Sequence, residues 1–452
     1  MRFSITTLGC KVNQYESQAI ESILISRGHI KVESYTESDV CLINTCAVTA
    51  ESVRKSRQAL RRIRKSTPTA LIAVFGCFSQ LEPKIPVSLG ADIISGTDDR
   101  LGFIEKIEQL CENKTHNETA AHRSCENPTA PASPILQTDS EDSQTLIEDL
   151  PPGKSRERTR ATLKIQDGCD NYCTYCIVPH ARGRSRSLPL SRIAEYAERI
   201  ANEGFREIVV TGIEISSYGK DLPATPPLTE ALAVISKAAP NTRIRLGSLD
   251  PAAITKEFCI ELQNLPNLCN SFHLSLQSGS DDILRKMGRR YNTADVSETI
   301  TRLRDMFPNC GITADLIVGF PGETDDDFDK TLTFIKNSAF SNMHIFPFSP
   351  RPGTPAADMP NQVSKTIRRE RARIISDAAA EMALDFRHSQ IGKTVQVLFE
   401  QKRDGLWIGY SENYIQVAVK TTVEKNTIHP VKILSVESEH TFGELVHHLP
   451  NN

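Results

Sequence analysis

No run of 18 or more apolar residues occurs in the chain, which excludes a membrane-spanning helix, since about 20 such residues are needed to cross a bilayer core. The start, MRFSITTLGC, lacks the charged-then-apolar profile of an export signal, so a cytoplasmic protein is expected. Neither sign of charge dominates, the formal net charge being −3 over 452 residues, and neither a membrane nor DNA is expected as a partner. Cysteine is not scarce. Twelve cysteines in a reducing compartment are more often ligands, catalytic thiols or core fillers than disulfides, and their positions decide which.

The length is too great for one ordinary core and calls for about three domains. Charge is spread unevenly along it. Residues 111–150 carry eight acids against Lys114 and Arg123. The same stretch is rich in Ser, Thr, Asn, Pro and Ala with little apolar periodicity, so it buries too little surface to offset its ordering entropy. Residues 111–155 are therefore expected to form an acidic flexible linker or insert, and Cys111 and Cys125 within it are set aside as ligands.

Before the insert, strand-like runs at 3–8, 40–44, 71–75 and 92–95 alternate with helical patterns at 14–27, 50–65 and 100–110. This predicts a small parallel α/β domain over residues 1–110. Ligands of such sheets gather at the carboxyl ends of the strands. Cys10, Cys46 and Cys77 each lie just past the end of one of the first three strands, in TLGC, INTC and VFGC. Folding would bring them together as a tri-thiolate site; the competing reading is three small buried residues packing the sheet. Cys41, inside the second strand, is assigned to the core.

After the insert, six strands are expected at 161–166, 207–214, 243–249, 271–278, 311–319 and 342–348, separated by helices at 190–203, 227–238, 254–263, 293–307 and 324–337. Repeated strand-helix units predict a parallel sheet with helices outside, open or curved into a partial barrel, over residues 156–387. Directly after its first strand come Cys169, Cys173 and Cys176, with spacers of three and two residues. Three thiols around an iron–sulfur cube leave one iron open for a substrate or cofactor, whereas a closed site wants four ligands. Zinc is the competing metal, but no fourth Cys or His follows at finger spacing, and His180 is read as a loop residue. The loops at the carboxyl ends of barrel strands are where chemistry is expected. Cys259, Cys269 and Cys310 share no spacing and are assigned to packing.

The CxxxCxxC loop resembles the signature of the radical S-adenosylmethionine superfamily, and TLGCKVNQYES, INTCAVTAES and VFGC resemble the amino-terminal domain of methylthiotransferases. The resemblance extends through CDNYCTYCIVPHARGRSRS, LSLQSGSDDILRKMGRRY, DLIVGFPGET and FSPRPGTPA, and so covers nearly all of the chain outside residues 111–150. GCKVNQYES and YCIVPHARGRSRS are most similar to the branch that acts on threonylcarbamoyladenosine at position 37 of tRNA. The resemblance implies a [4Fe–4S] cluster on Cys169, Cys173 and Cys176 whose open iron is chelated by S-adenosylmethionine, giving a 5'-deoxyadenosyl radical. It implies a second [4Fe–4S] cluster on Cys10, Cys46 and Cys77 carrying the sulfur, with a second S-adenosylmethionine supplying the methyl group. The tRNA anticodon stem-loop and an electron donor such as flavodoxin or ferredoxin would be the partners. Two relatives remain in competition: an enzyme acting on isopentenyladenosine-37 of tRNA and one acting on a ribosomal-protein aspartate. From another class, a non-catalytic iron–sulfur protein that binds RNA and senses redox state would share the cysteines.

Glu214, at the end of the second barrel strand, and Gln277, Ser278 and Gly279, at the end of the fourth, are placed to line the S-adenosylmethionine site; a solvated carboxylate is the plain alternative for Glu214. Arg54, Lys55, Arg57, Arg61, Arg62, Arg64 and Lys65 load one helix, and Arg182, Arg184 and Arg186 follow the cysteine loop. Such helices are commonly solvated faces, yet a phosphate-bearing substrate would use Arg57, Arg61, Arg182 and Arg184. From residue 388, runs at 394–399, 406–410, 414–419 and 431–435 predict a small antiparallel β-barrel that resembles the RNA-binding TRAM domain. Six Lys/Arg against seven Asp/Glu in residues 388–452 give that role little charge support, so Trp407, Tyr410 and Tyr414 are its stacking candidates. Helical residues 363–387 bridge to the preceding part.

Overall fold

The computed structural model describes residues 1–121, 135–137, 146–153, 159–437 and 440–446. Its amino-terminal sheet is parallel throughout, in the order Ile30–Lys31, Arg2–Thr7, Val40–Thr45, Leu71–Gly76, Ile93–Ser95, Ile135–Gln137. Val40–Thr45 is buried at every residue, which is why its sequence is a continuous rather than alternating apolar run. Ile20, Leu24, Phe103 and Ile107, from helices Lys11–Ser26 and Arg100–Ala121, cover one face. Leu60 and Ile63, from helix Ala50–Ser66, cover the other, where Cys41 is core as expected.

The insert differs from its sequence reading. Much of it, with Cys125, lies outside the described residues. Within it, however, the helix that begins at Arg100 runs on to Ala121, and Ile135–Gln137 adds an edge strand to the sheet. Residues 146–153 form an ordered strap: the Tyr15 hydroxyl donates to the Leu150 carbonyl at 2.5 Å, and the Tyr196 hydroxyl to Asp149 at 2.6 Å. These runs are too short to carry a periodicity from which to read such contacts.

The central part has six parallel strand paths in chain order: Arg160–Lys164, Glu207–Thr211, a third path broken at Gly247 into Arg243–Leu246 and Ser248–Leu249, then Ser271–Gln277, Gly311–Val318 and Asn342–Pro347; they form a three-strand and a four-strand sheet that meet at the break. Leu163, Ile208, Ile244, Leu274 and Leu316 point outward and pack on Ile193, Leu232, Leu303 and Ile335 of the surrounding helices. Side chains of a strand alternate, so Thr162, Val209, Arg245, His273, Thr313 and Asp315 line the inner, concave face.

The carboxyl-terminal strands Thr394–Arg403, Leu406–Ser411, Gln416–Val419, Thr441–Leu445 and Ile428–Val436 close into a five-strand barrel. It is not wholly antiparallel, since Val417–Ala418 pair in parallel with Thr441–Phe442. Arg243 and Arg245 hold it against the sheet: they donate to the carbonyls of Gln396, Tyr410, Ser411 and Glu412 at 2.8–3.1 Å. Burial pushes the Glu207 carboxyl up, but the same two arginines outweigh it and lower its pKa to about 2. Helix Lys365–His388 spans both parts, with Ile375 and Met382 in the central core and Phe386 against the barrel interior.

A buried ion network joins the amino-terminal sheet to the central one. The Arg182 guanidinium, fully buried, donates to Glu16 at 2.8 Å and to Asp167 at 3.0 and 3.1 Å. Lys164 bonds Asp167 at 3.0 Å and Glu16 at 3.4 Å, and Arg100 reaches Glu16 at 3.2 Å. Arg182 is therefore not available to RNA, a correction to the sequence reading: its basic triplet mixes an exposed residue, Arg184, with two buried ones, Arg182 and Arg186.

Removing one member of a buried network leaves the others uncompensated, at a cost of about 3–5 kcal/mol. Arg182→Met is accordingly expected to lower unfolding stability by that order in urea titration, and an unchanged midpoint would contradict the network's role. A second prediction concerns Glu148, whose carboxylate accepts from the Arg100 amide at 2.5 Å. Burial raises its pKa from 4.5 to about 7 against the pull of Arg100. A carboxyl held above its unfolded value binds more protons when folded, so stability falls as pH rises from about 4.5 to about 7. Glu148→Gln should flatten that slope in thermal unfolding measured across the window.

Candidate functional site

Two of the three strands that precede Cys10, Cys46 and Cys77 end in turns that need glycine. Gly9 has φ +117°, and a Cβ there would stand 2.9 Å from Cys46 Cβ; Gly76 has φ +102°, and a Cβ would stand 2.5 Å from Asn44 Oδ1. Cys10 and Cys77 thus follow residues whose lack of a side chain lets the three turns close together. Asn13 ties two of the turns. Its amide nitrogen donates to the carbonyls of Leu8 and Thr45, both at 3.0 Å, and its oxygen lies 3.4 Å from Cys10 Sγ. Burial pushes the Cys77 thiol up to about 12 and raises that of Cys10, and the other thiols of the trio lie close enough to add to both shifts. Cys10 is the exposed rim of this trio, Cys46 and Cys77 its buried floor.

The second trio lies on the loop after Arg160–Lys164. Gly168 has φ +68°, and a Cβ would meet the Arg184 carbonyl at 1.9 Å, so the loop folds directly against the chain that follows it. The Cys169 amide donates to Gly183 O at 3.1 Å, the Cys176 amide to Cys173 O at 2.9 Å, and the Thr174 amide to Met287 O at 3.0 Å. Burial raises the Cys169 thiol to about 12 and Cys176 to about 11. The Arg289 guanidinium lies 3.3 Å from Cys173 Sγ and is itself held by Asp250 at 3.0 Å and the Tyr291 hydroxyl at 2.9 Å.

Both trios border one apolar cluster. Ala47, Val53, Cys77 and Phe78 from the amino-terminal sheet pack there on Ile177 and Ala181, which follow Cys176. Each trio also has a buried guanidinium beside it, Arg182 for Cys10 and Cys77, Arg289 for Cys173. Thiols held protonated by burial, as Cys77, Cys169 and Cys176 are, beside a fixed cation are a donor set that suits a metal cluster of net negative charge: ligation exchanges the thiol protons for iron, and the arginine offsets the charge then buried.

Glu214 is 8% exposed and interacts electrostatically with Cys169. Burial first, then Asp250, raises its pKa; it is not a solvated carboxylate. Gln277 has φ +66° at a break in strand register, which turns the chain out of the sheet at its carboxyl end. Ser278 is buried, its hydroxyl accepting from the Ser280 amide at 3.2 Å. His180 lies on helix Val178–Arg182 rather than a loop, its ring edge-on to Tyr172.

On helix Ala50–Ser66 the arginines divide. Arg61 is exposed, whereas Arg57 is half-buried, 3.4 Å from Glu82 and over the Phe78 ring. Trp407 packs into the carboxyl-terminal barrel. Tyr410 and Tyr414 stack with centroids 5.1 Å apart beneath Arg160, and Arg245 lies 4.6 Å over Tyr414. The two tyrosines thus serve the junction with the central sheet, and Tyr414 also borders a cavity there with Lys11, Gln14 and Glu400. Sequence reasoning missed Arg289, Asn13, Glu16 and Asp167. Arg289 was inside the quoted LRKMGRRY, but only the folded chain carries it back to Cys173.

Comparison with known proteins agrees with this geometry. A model of the radical SAM superfamily matches residues 163–335, and one described as uncharacterized protein family UPF0004 matches residues 2–94. The threonylcarbamoyladenosine tRNA methylthiotransferase MtaB of Thermotoga maritima is 36% identical over 414 residues, 91% of this chain and 90% of the relative. The protein of the same name from Bacillus subtilis is 33% identical over 97% of this chain and 95% of its own. The tRNA-2-methylthio-N(6)-dimethylallyladenosine synthase of Caldicellulosiruptor saccharolyticus is 32% identical over 98% and 92%. In fold, the radical S-adenosylmethionine methyltransferase TsrM of Kitasatospora setae superposes with a TM-score of 0.55 at 14% identity, covering 90% of this chain and 80% of that one. Among the described residues no helix is long and apolar enough to cross a membrane. With both cysteine-bearing parts matched and relatives above 30% identity along nearly its whole length, the chain belongs to the radical S-adenosylmethionine methylthiotransferases.

Proposed function

We propose that this enzyme adds a methylthio group to C2 of N6-threonylcarbamoyladenosine at position 37 of tRNA, with one [4Fe–4S] cluster on Cys169, Cys173 and Cys176 and another on Cys10, Cys46 and Cys77. The observation that carries the proposal is the identity with proteins named for that substrate, extending across both trios. When bound, S-adenosylmethionine and its cluster supply one-electron cleavage of the sulfonium, the means by which an adenine C2–H bond, too weakly acidic for a side-chain base, is opened.

This chain's own residues hold and orient. Glu214, buried beside Cys169, accepts from the cofactor's amino group, and Gln277 and Ser278 border the cofactor at the end of their strand. Arg289 steadies Cys173, and Asp250 steadies Arg289. The apolar cluster of Ala47, Phe78, Ile177 and Ala181 keeps water from the space between the trios. Exposed Arg61 and Arg184, with half-buried Arg57 one turn before Arg61 on its helix, grip the anticodon stem-loop. Electrons arrive from a small carrier of the flavodoxin or ferredoxin kind.

Anaerobically reconstituted protein is expected to hold about eight irons per chain, and the Cys10/Cys46/Cys77 triple alanine variant about four; a variant that loses none overturns the second cluster. Nucleoside mass spectrometry of tRNA from cells with and without the gene is expected to show loss of the 2-methylthio form of threonylcarbamoyladenosine. Loss of the methylthio dimethylallyl nucleoside instead would move the enzyme to its other tRNA relatives, and a methylthio mass change on a ribosomal protein would remove tRNA altogether. Arg61→Glu with Arg184→Glu should weaken stem-loop binding and flatten its salt dependence, since each phosphate contact contributes about one unit of slope; unchanged binding across salt would remove both residues.

A further inference from the structure

Midway down the concave face of the central sheet, three neighbouring strands present His273, Asp315 and His344, with one side-chain ligand atom from each within 4.8 Å of the others. The register makes the group. His273 stands opposite Thr313, and Asp315 opposite His344. His273 Nε2 lies 3.2 Å from Asp315 Oδ2, and its Nδ1 lies 2.7 Å from Thr313 Oγ1. Both ring nitrogens of His273 are therefore engaged, and the ring is held rigid. His344 is exposed, its ring 5.7 Å from that of His273. The remaining capacity of the Asp315 carboxylate and the imidazole of His344 face open space.

Such a group reads hydrogen-bonding ligands. Metal binding would break the His273 Nε2–Asp315 contact already made, whereas a hydrogen-bonding ligand leaves it in place. An apolar ligand lying here would strip water from a carboxylate and two imidazoles and return nothing, whereas one bearing hydroxyl, amide or carboxylate groups replaces the lost hydrogen bonds. In an adenosine whose C2 faces the cysteine-bearing ends of the strands, the N6 substituent leaves from another side of the ring and extends away from them. Farther down, the carboxyl-terminal barrel, held by Arg243 and Arg245, closes the end of the sheet.

We propose that His273, Asp315 and His344 form the subsite that reads the polar N6 substituent of the target adenosine and disfavours an apolar one. Asp315 and His344 contact the substituent, His273 positions Asp315, and Thr313 fixes the His273 ring. The proposal rests on the tRNA reading above, and its test separates the two.

Full-length, cluster-loaded protein is titrated with three anticodon stem-loops carrying threonylcarbamoyladenosine, dimethylallyladenosine or plain adenosine at position 37, with binding read by fluorescence anisotropy. The native protein is expected to prefer the first. Asp315→Asn and His344→Ala should each weaken that complex about tenfold or more, the range of a hydrogen bond to a charged group, and leave the other two affinities unchanged. Thr313→Val should give a smaller loss of the same selectivity. Iron content and unfolding midpoint serve as the fold control, and the exposed His344 gives the variant least able to disturb packing. If the variants keep the native preference, or weaken all three complexes equally, the subsite is overturned while tRNA binding stands. If the native protein binds none of the three, the tRNA reading falls and the subsite with it. Zinc retained by native protein with a nitrogen and oxygen shell, and lost in His344→Ala, would make the trio a metal site and overturn the recognition role.

Discussion

Glu16 and Arg182 carry the architecture. Glu16 projects from the helix that Cys10 opens; Arg182 ends the short helix that follows Cys176. Their bond is completely buried, with Asp167, Lys164 and Arg100 around it. Charges of this kind cannot be withdrawn from water without close partners of opposite sign, so the two sheets dock in a geometry that brings all five together. That constraint, rather than apolar area, sets the position of one cysteine trio relative to the other. The apolar cluster shared by the two parts is small: Ala47, Val53, Cys77, Phe78, Ile177 and Ala181.

The same arginine has a second consequence. Arg182 also lies near Cys10 and Cys77, as Arg289 lies near Cys173. Each site thus has its own buried cation, tied on its far side to carboxylates: Glu16 and Asp167 for Arg182, Asp250 for Arg289. Docking of the sheets and the charge environment of the thiols are therefore not separable properties. A substitution that loosens the seam also changes the field at the amino-terminal trio.

Much of this was legible in the sequence, and the exceptions have physical causes. Strand-helix alternation placed all six central strands to within a few residues, because a sheet covered on its outer face by helices imposes apolar periodicity on each strand. The six cysteines of the two trios stood out because strand ends and the CxxxCxxC loop are local signals. Arg182 misled, since a run of Arg-x-Arg-x-Arg carries no mark of which members turn inward; burial was decided by Glu16 and Asp167, one of them 166 positions away. The edge strand Ile135–Gln137 and the strap at 146–153 were unreadable because each is too short to show a period, and its contacts are a backbone pairing in one case and single hydrogen bonds with an isolated apolar anchor, Leu150, in the other. The His273, Asp315 and His344 group follows from register between strands, which no single segment records.

The most direct test of two proposed clusters brought together by the buried network is their magnetic interaction in reduced, reconstituted protein, measured by electron paramagnetic resonance against the Cys10/Cys46/Cys77 triple alanine variant. The two sites on this account lie close enough for their spins to couple, so the native spectrum should broaden and split beyond that of the variant and relax faster. A native spectrum equal to the sum of two isolated clusters would contradict it.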